Sequence, residues 1–327
     1  SSAESVTTGT ETSGSPLIVP QKSTNLKAFT YAELKLATRN FSTAAKLGEG
    51  GFGSVYRGII NSPDDPSKKV IVAVKQLNNR GFQGHKEWAT EVNLLAMVEH
   101  PNLVKLVGYC AEDDERGIQR LLVYEYMSNR CVMSHLSPTS AGVLSWETRL
   151  KIALDAAVGL AHLHEEMSFQ IVFRDFKSAN ILLDDQWNAK LSDFGLARLW
   201  PADGRTHIST DRVGTMGYAA PEYVRSGRLR PTSDTWSYGV FLYELITGRL
   251  PLDFRRPRNE QNLLEWIKPY LSDVDSFERV IDPRLPRRKV LKSAYKLSRV
   301  AGRCLSKRPK ARPEMSRVRE MVRKLVD

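Results

Sequence analysis

The stretch that decides the fold is Phe173-Arg174-Asp175-Phe176-Lys177-Ser178-Ala179-Asn180. It places an acid, a base and an amide within six residues. Asp193-Phe194-Gly195 begins thirteen residues after Asn180, and Ala220-Pro221-Glu222 begins twenty-seven residues after Asp193. Each string alone would be weak evidence, but their order and spacing together match one known signature set. We therefore interpret the three strings as parts of a single active site.

That signature set resembles the one of protein kinases, with one position changed. The chain has Phe173 where the usual catalytic loop has His. The resemblance implies that this residue packs in an apolar column and does not transfer the proton, so an aromatic replacement keeps the packing. The alternative, a pseudokinase that binds partners without catalysis, would need the loss of a catalytic group. The implied column contains Leu95, Leu106, Phe173 and Phe194, and Asp234 anchors it.

Composition limits the class of protein. The chain has 327 residues, 41% hydrophobic and 26% charged, which is ordinary for a soluble globular protein with one large domain or two lobes. No apolar run approaches the roughly 18–20 residues that span a bilayer, and the start lacks a signal-peptide pattern. The three cysteines are widely separated, which favours a reducing cytosol over a disulfide framework.

The net charge of +11 favours anionic partners. The densest basic run, residues 284–292, is interrupted by Pro286 and has no aromatic residue for base stacking. We interpret the charge as a solvated basic surface and expect no nucleic acid. Docking of basic patches to acidic lipid at the inner plasma membrane remains an open alternative.

The chain divides into four parts by composition and pattern. Residues 1–25 are rich in Ser and Thr and are expected to be disordered. Residues 26–41 form an N-terminal extension with a short helix, 42–127 a kinase N-lobe with the hinge, and 128–327 the C-lobe. The fold class is therefore α+β: a bilobal protein kinase fold with a small antiparallel β-sheet and one regulatory helix in the N-lobe, and a mainly helical C-lobe.

Hydrophobic periodicity predicts the individual elements. The predicted strands are Lys46–Gly48, Ser54–Ile59, Val70–Leu77, Leu103–Tyr109 and Leu121–Tyr126. The predicted helices are Ala32–Thr38 with Thr30 as its N-cap, Gly84–Val98, Trp146–Glu166, Ser233–Thr247, Asn262–Leu271, Leu291–Leu305 and Met315–Leu325.

A glycine-rich segment follows Leu47 and reads Gly48-Glu49-Gly50-Gly51-Phe52-Gly53-Ser54-Val55. Gly48, Gly50 and Gly53 let the backbone approach phosphate groups because no side chain intervenes. A dinucleotide-binding turn uses the same first six positions but continues directly into a helix. Here the pattern continues as a strand, which favours a lid over the phosphates of ATP.

Lys75 lies in the apolar strand Val72-Ala73-Val74-Lys75, and a helix that carries Glu91 follows it. In isolation this lysine would be read as an exposed strand residue. With the glycine lid upstream, we predict that Lys75 holds the α- and β-phosphates and that Glu91 fixes its orientation. Glu87, one helical turn earlier, is the rival partner.

The remaining catalytic residues are the polar ones of the opening motifs. Phosphoryl transfer needs positioning and electrostatic stabilisation more than covalent help. Asp175 is the candidate base that orients and accepts the proton of the substrate hydroxyl, and Lys177 neutralises charge that develops on the γ-phosphate. Asn180 and Asp193 supply oxygen ligands suited to a hard cation, Mg²⁺ or Mn²⁺.

From Phe29 onward the chain resembles plant receptor-like cytoplasmic kinases, relatives of the Pelle and interleukin-receptor-associated kinases. The motifs are Phe29-Thr30-Tyr31-Ala32-Glu33-Leu34, His100-Pro101-Asn102-Leu103-Val104-Lys105-Leu106 and Gly214-Thr215-Met216-Gly217-Tyr218-Ala219-Ala220-Pro221-Glu222-Tyr223. The likeness is greatest to the PBS1-like subgroup VII, in which a Phe-Arg-Asp-Phe-Lys loop is normal. The resemblance implies an active serine/threonine kinase that receptor kinases phosphorylate, with protein substrates, and pathogen effectors as further partners. It also implies a cytoplasmic location, peripheral at the plasma membrane where the full-length N-terminus is lipidated.

The resemblance also assigns the nucleotide pocket. Tyr124 falls at its back, and the backbone groups of Glu125 and Met127 bind the adenine. The faces of the adenine base lie between Val55, Ala73 and Leu182.

The resemblance also indicates residues that regulate the activity. Arg174 beside the candidate base suggests that an arginine grips a phosphate on the activation loop. The acceptor candidates are Thr206, Ser209, Thr210 and Thr215, of which Ser209 and Thr210 lie where relatives carry regulatory sites and Thr215 is expected to position substrate. Glu222 is predicted to pair with Arg312.

Overall fold

The computed structural model describes residues 26–50, 53–77, 82–115, 117–140, 142–202 and 204–327. The segment 1–25, expected to be disordered, and positions 51–52 of the glycine lid lie outside the described residues. Within the described part, a sheet of mostly antiparallel strands comes first and a mainly helical part follows, in agreement with the predicted α+β fold. None of the described helices is both long and apolar enough to cross a membrane.

One six-stranded sheet dominates the first part. The strands of this part are β1 (Lys27–Ala28), β2 (Lys46–Gly50), β3 (Gly53–Asn61), β4 (Lys69–Leu77), β5 (Leu106–Cys110), β6 (Asp113–Asp114), β7 (Gly117–Ile118) and β8 (Leu121–Glu125). The spatial order in the sheet is β1-β5-β8-β4-β3-β2, and all neighbouring strands are antiparallel except β1 and β5.

The N-terminal extension adds to this sheet and caps it. Strand β1 pairs in parallel with β5, and a Cβ atom on Gly108 would lie 2.1 Å from the Lys27 carbonyl oxygen, so only glycine allows the pairing. Helix α1 (Tyr31–Ala37) follows, and Thr30 and Glu33 form a reciprocal capping box at its start. The predicted helix and its N-cap are therefore confirmed.

Helix α2 (Phe82–Leu95) carries Glu91 and is fixed to the sheet by Trp88, whose indole Nε1 donates to the Leu121 carbonyl oxygen at 3.1 Å. Glu91 lies three residues further on, so both side chains are on the sheet-facing side of the helix. The helix ends three residues before the predicted Val98. The sheet thus holds the regulatory helix and its carboxylate in a fixed place.

The predicted strand Leu103–Tyr109 is wrong at its start, because β5 begins only at Leu106. The backbone N–H of Val104 donates instead to the Leu191 carbonyl oxygen at 2.9 Å, and Leu103 forms an isolated bridge with Leu191. These residues therefore pair with a strand of the helical part, a long-range contact that local patterning cannot show.

The helical part contains the remaining elements. Its helices are α3 (Val132–Leu136), α4 (Trp146–Ala161), α5 (Pro221–Ser226), α6 (Pro231–Thr247), α7 (Leu263–Ile267), α8 (Val274–Phe277), α9 (Arg287–Cys304) and α10 (Met315–Val326). Its short strand pairs are β9 (Ile171–Val172) with β12 (Arg198–Leu199), β10 (Ile181–Leu183) with β11 (Ala189–Leu191), and β13 (Ile208–Ser209) with β14 (Arg228–Leu229).

Three helix predictions need correction in their bounds. The predicted helix Trp146–Glu166 is α-helical only to Ala161, and its last five residues form a π-helical turn. The predicted helix Asn262–Leu271 is wrong as one element: α7 ends at Ile267 and a 3₁₀ turn that contains Pro269 follows, because proline cannot donate the next helical hydrogen bond. Helix α9 begins four residues before the predicted Leu291, directly after Pro286.

Candidate active site

A three-membered ion cluster joins the sheet, helix α2 and the segment after β11. The Nζ atom of Lys75 lies 3.2 Å from Glu91 Oε2 and 2.9 Å from Asp193 Oδ1. The second oxygen of Glu91 accepts from the backbone N–H of Phe194 at 3.0 Å. The predicted Lys75–Glu91 pair is therefore present, whereas the rival Glu87 lies beside Gly195.

This cluster is buried, and its charges depend on one another. Burial alone would lower the pKa of Lys75, but the charges of Asp193 and Glu91 more than offset it and raise that pKa above its ordinary value. Burial opposes the charged form of Asp193, yet Lys75 keeps its pKa below the usual range. Burial raises the pKa of Glu91, with the nearby charge of Asp193 adding to the effect. A lysine that stays charged in this cleft suits the binding of phosphate groups.

The catalytic loop places Asp175 between the side chain of Lys177, from the same loop, and that of Thr215, from the segment before α5. Its Oδ2 accepts from Lys177 Nζ at 2.7 Å, and its Oδ1 accepts from the Thr215 hydroxyl at 2.7 Å. Lys177 Nζ also donates to Thr215 Oγ1 at 2.8 Å. Asp175 is only 3% exposed, so its carboxylate faces these groups and not bulk water. A substrate hydroxyl that replaced Thr215 on this carboxylate would be oriented for proton removal.

Asn180 and Asp193 fit the requirements of a divalent cation. The Asn180 side-chain nitrogen donates to the Asp175 carbonyl oxygen at 3.0 Å, so its amide oxygen is the atom left to act as a ligand. Asp193 adopts a left-handed backbone with φ of 69°, and one of its oxygens contacts Lys75 while the other can bind a cation. Carboxylate and amide oxygens are ligands that hard cations prefer.

The residues predicted to form the nucleotide pocket lie on β2, β3, β4 and β10 and at the end of β8. A Cβ on Gly53 would lie 2.0 Å from the Gln76 carbonyl oxygen, so glycine is required where β3 meets β4. Tyr124 and Met127 are buried, and the backbone N–H of Glu125 donates to the Lys105 carbonyl oxygen at 3.0 Å. The carbonyl oxygen of Glu125 is thus its backbone group that can accept from adenine. Leu47 is exposed, whereas Val55, Ala73 and Leu182 are partly buried.

Phe173 lies where the apolar column requires it. It is fully buried in one cluster with Leu95 and Leu106, and its ring centroid is 5.0 Å from that of Phe194 in an edge-to-face arrangement. Asp234 accepts from the backbone N–H groups of residues 173 and 174, each at 2.7 Å. Sequence reasoning missed His164, whose Nε2 lies 2.8 Å from Asp234 Oδ2, because nothing marks it within its helix.

Arg174 connects the catalytic loop to the activation segment. Its Nη2 donates to the Thr210 hydroxyl at 3.0 Å, and its Nε donates to the Tyr223 hydroxyl at 3.0 Å. Arg198 lies close enough that its pKa, lowered mainly by burial, is lowered further by the charge of Arg174. Thr210 therefore contacts Arg174 directly, and Arg198 lies near that arginine. The neighbouring Ser209 is exposed, as is Thr206.

Glu222 and Arg312 form the expected pair. Their two parallel hydrogen bonds are each 2.7 Å long, and Arg312 also donates to the carbonyl oxygens of Thr232 and Ser306 at 2.8 and 2.9 Å. The Arg312 side chain is fully buried. The pair ties α5, which follows the activation segment, to the loop before α10.

Another buried carboxylate, Glu244, was missed by sequence reasoning. Its Oε1 accepts from the Ser178 hydroxyl at 2.6 Å and its Oε2 from the Tyr218 hydroxyl at 2.5 Å. Ser178 belongs to the catalytic loop, and Tyr218 follows Thr215, so Glu244 connects the catalytic loop to the segment before α5. The available signal was a lone acid within the apolar run of α6.

Glu244 gives the stability a pH dependence. Burial raises the pKa of Glu244 from 4.5 to about 7. The folded protein therefore keeps a proton that the unfolded chain has already lost, and this stabilisation disappears as the pH rises through about 7. Between pH 5 and 8 we expect the native chain to lose up to about 3 kcal/mol of unfolding free energy relative to Glu244→Gln, measured as melting temperature against pH. Glu99→Gln, at an 81% exposed side chain, is the control and should follow the native curve. Parallel curves for all three proteins would contradict this titration.

Comparison with known proteins identifies relatives that cover most of the chain. The family model described as protein kinase domain matches residues 41–322. Serine/threonine-protein kinase PCRK1 of Arabidopsis thaliana is 64% identical over 309 residues, which cover 94% of this chain and 74% of the relative. PCRK2 of the same plant is 65% identical over 303 residues, covering 93% and 72%. PBL34, also from Arabidopsis thaliana, is 50% identical over 322 residues, covering 96% and 64%.

Proposed function

This chain belongs to the protein kinase domain family, as a serine/threonine kinase similar to plant receptor-like cytoplasmic kinases, and on that premise we propose how its residues act. The reaction is transfer of a phosphate group from ATP to hydroxyl groups of proteins, with a divalent metal. We assign the cleft between residues 42–127 and 128–327 as the place where this transfer occurs.

The observation that carries the residue assignment is the position of Asp175 between Lys177 and Thr215. A substrate hydroxyl that binds Asp175 is oriented by that carboxylate, which accepts its proton. Lys177 neutralises charge on the transferred phosphate, and Thr215 holds the substrate side of the cleft. Positioning of this kind supplies a large share of the rate enhancement in phosphoryl transfer.

The nucleotide and the metal ion bind to a second group of residues. Lys75, held by Glu91, contacts the α- and β-phosphates, and the glycine lid covers them. Asn180 and Asp193 hold Mg²⁺, whose charge offsets that of the phosphate oxygens. The buried Tyr124 closes the back of the adenine pocket.

The chain acts in this proposal as a cytoplasmic relay. Receptor kinases phosphorylate its activation segment, and Arg174 and Arg198 bind the phosphate near Thr210. Binding at the inner plasma membrane would bring it to those receptors, and the charge of +11 supports contact with an acidic surface. A pseudokinase is not favoured, because the charged groups predicted to be catalytic, Lys75, Asp175, Lys177 and Asp193, are all present.

Incubation with ATP and Mg²⁺, followed by mapping of phosphorylated residues, tests the proposal. We expect phosphate on serine and threonine, including Thr210. Ser209→Ala/Thr210→Ala should then transfer phosphate to a generic protein substrate roughly ten-fold or more slowly, because a charge-assisted pair with Arg174 is lost.

The matched control for this double variant is Thr206→Ala, at another exposed hydroxyl of the same segment. It should keep the native rate. Equal rates for the double variant and the native chain would contradict control through Ser209 and Thr210. Absence of any phosphorylated residue, in the chain or the added substrate, would contradict the proposed activity itself.

A further inference from the structure

A cavity lies on the helical part, away from the candidate active site, and none of the active-site residues lines it. Its volume is about 430 Å³, and it opens between the end of α6, the loop that follows, α7 and the start of α9. Five arginines are among the residues that line it. The residues that matter are Arg249, Arg256, Arg279, Arg284, Arg287 and Trp266.

The one carboxylate in this wall is already neutralised. Asp282 Oδ2 lies 2.7 Å from Arg149 Nη2 and 2.8 Å from Arg284 Nη2. Arg284 also donates to two carbonyl oxygens near the end of α3. Asp282 and Arg284 therefore form a structural unit, and neither neutralises the other arginines of the cavity.

Arg249 and Arg256 pair with carboxylates just outside the cavity wall. Both contact Glu260, and Arg256 Nε also lies 3.4 Å from Asp253 Oδ2. Glu260 Oε2 is 3.0 Å from Arg249 Nη1 and 3.8 Å from Arg256 Nη1. The guanidinium of Arg249 lies 3.5 Å from the ring centroid of Trp266. Burial lowers the pKa of Arg249, and the charge of Arg256 lowers it further against the opposing effect of Glu260. Cations are thus crowded on this side.

Arg279 and Arg287 add two further charges. Among the described residues, neither has a carboxylate oxygen within 4 Å of its guanidinium nitrogens. Arg287 Nε donates to the Ile281 carbonyl oxygen at 2.9 Å, which leaves its two terminal nitrogens for another partner. The first turn of α9, where Arg287 lies, contains no acidic residue. The charge of Arg279 acts on the exposed Asp273, and neither Arg279 nor Arg287 has a direct ion pair among the described residues.

The crowding and the shape of the donors indicate an anion with several oxygens. Guanidinium groups match phosphate oxygens in pairs, and arginine clusters recognise phosphorylated side chains in this way. A dianionic phosphate could pair with the guanidinium groups of both Arg279 and Arg287, which a single carboxylate would do less well.

The position of the cavity favours a polypeptide carrier over a lipid. Arg249 lies two residues before Pro251, and Pro251 and Leu252 pack against Gly217 of the loop that carries Thr215. A protein bound along that loop would pass the mouth of the cavity. We propose that this cavity binds a phosphorylated serine or threonine side chain of a protein that docks on the kinase.

This inference goes beyond the proposed function, since it adds a binding site outside the cleft. Through this site the kinase would recognise a phosphate group that a substrate, or a second copy of the chain, already carries. Phosphate transfer by the native protein, measured in the same preparation, distinguishes failure of this inference from failure of the proposed function. A protein that binds the phosphopeptide but transfers no phosphate would contradict only the proposed function.

The test is fluorescence anisotropy of a labelled peptide that copies residues 205–216 and carries phosphothreonine at position 210. We expect the native chain to bind it more tightly than the unphosphorylated peptide. Arg279→Gln/Arg287→Gln should weaken the binding of the phosphopeptide roughly ten-fold or more, because charge-assisted hydrogen bonds are lost. Arg279→Gln alone, at an exposed residue, should cause part of the loss and guards against misfolding of the double variant.

Arg288→Gln is the matched control, because it removes the same charge from the next position of α9 at a 94% exposed side chain. It should leave the affinity unchanged. An equal loss for Arg288→Gln, or equal affinity for both peptides, would show non-specific attraction and overturn the proposal. Binding to vesicles of phosphatidylserine and phosphatidylcholine that needs Arg279 and Arg287, without binding of the phosphopeptide, would assign the cavity to lipid and overturn it too.

Discussion

Asp175→Asn should lower the rate of phosphate transfer by about 10²–10⁴-fold while the protein stays folded. The amide has nearly the same size and can still accept one hydrogen bond from Lys177 or Thr215, so local packing is kept. It cannot accept a proton, because the negative charge is gone. The loss should appear in kcat, measured as the initial rate of γ-phosphate transfer with saturating ATP and Mg²⁺.

Asp185→Asn is the control for this change. It makes the same substitution at an exposed residue ten positions later and should keep the native rate. The melting temperatures of the two variants should lie close to that of the native chain. If Asp175→Asn transferred phosphate at the native rate, another group would have to act as the base, and the assignment of the catalytic loop would be wrong.

Arg312→Ala should destabilise the helical part strongly. Its removal leaves the Glu222 carboxylate without a cation and the carbonyl oxygens of Thr232 and Ser306 without donors. Breaking a buried ion pair from one side costs about 3–5 kcal/mol of unfolding free energy. For a domain of this size that is a fall of roughly 6–20 °C in melting temperature.

Arg308→Ala provides the comparison, since it deletes an exposed arginine from the same loop. Its melting temperature should change by no more than a degree or two. Glu222→Gln should fall between the two variants, because the glutamine side chain keeps one hydrogen bond to Arg312. A melting temperature for Arg312→Ala equal to the native value would mean that the pair does not stabilise the fold.

The sequence allowed us to propose the catalytic residues because they occur in short strings. Asp175, Lys177 and Asn180 lie within one loop, so their mutual positions are fixed by a few backbone angles. Strand and helix types also followed from periodicity, as the cap of α1 at Thr30 illustrates. The first and last residues of the helices and strands were predicted less accurately. The start of β5 and the break in the helix after Asn262 depended on a distant partner and on a single proline.

The sequence could not predict residues whose role depends on partners that lie far away along the chain. Glu244 meets Ser178 and Tyr218 only because α6 passes under both loops, 66 and 26 positions away along the chain. His164 finds Asp234 across 70 positions. No local pattern encodes such separations, since the side chains become neighbours only when the apolar faces of α4 and α6 pack together.

The sequence by itself determined the family and let us propose the groups that transfer phosphate: the loop from Phe173 to Asn180, Lys75, and Asp193 in its motif. It also showed that Phe173 suits an apolar column. Only the tertiary structure decided that Lys75 pairs with Glu91, that Thr210 lies against Arg174, and that five arginines line one cavity. The physical reason is that covalent order sets chemistry within a loop, whereas burial and charge balance between loops arise only when the chain packs.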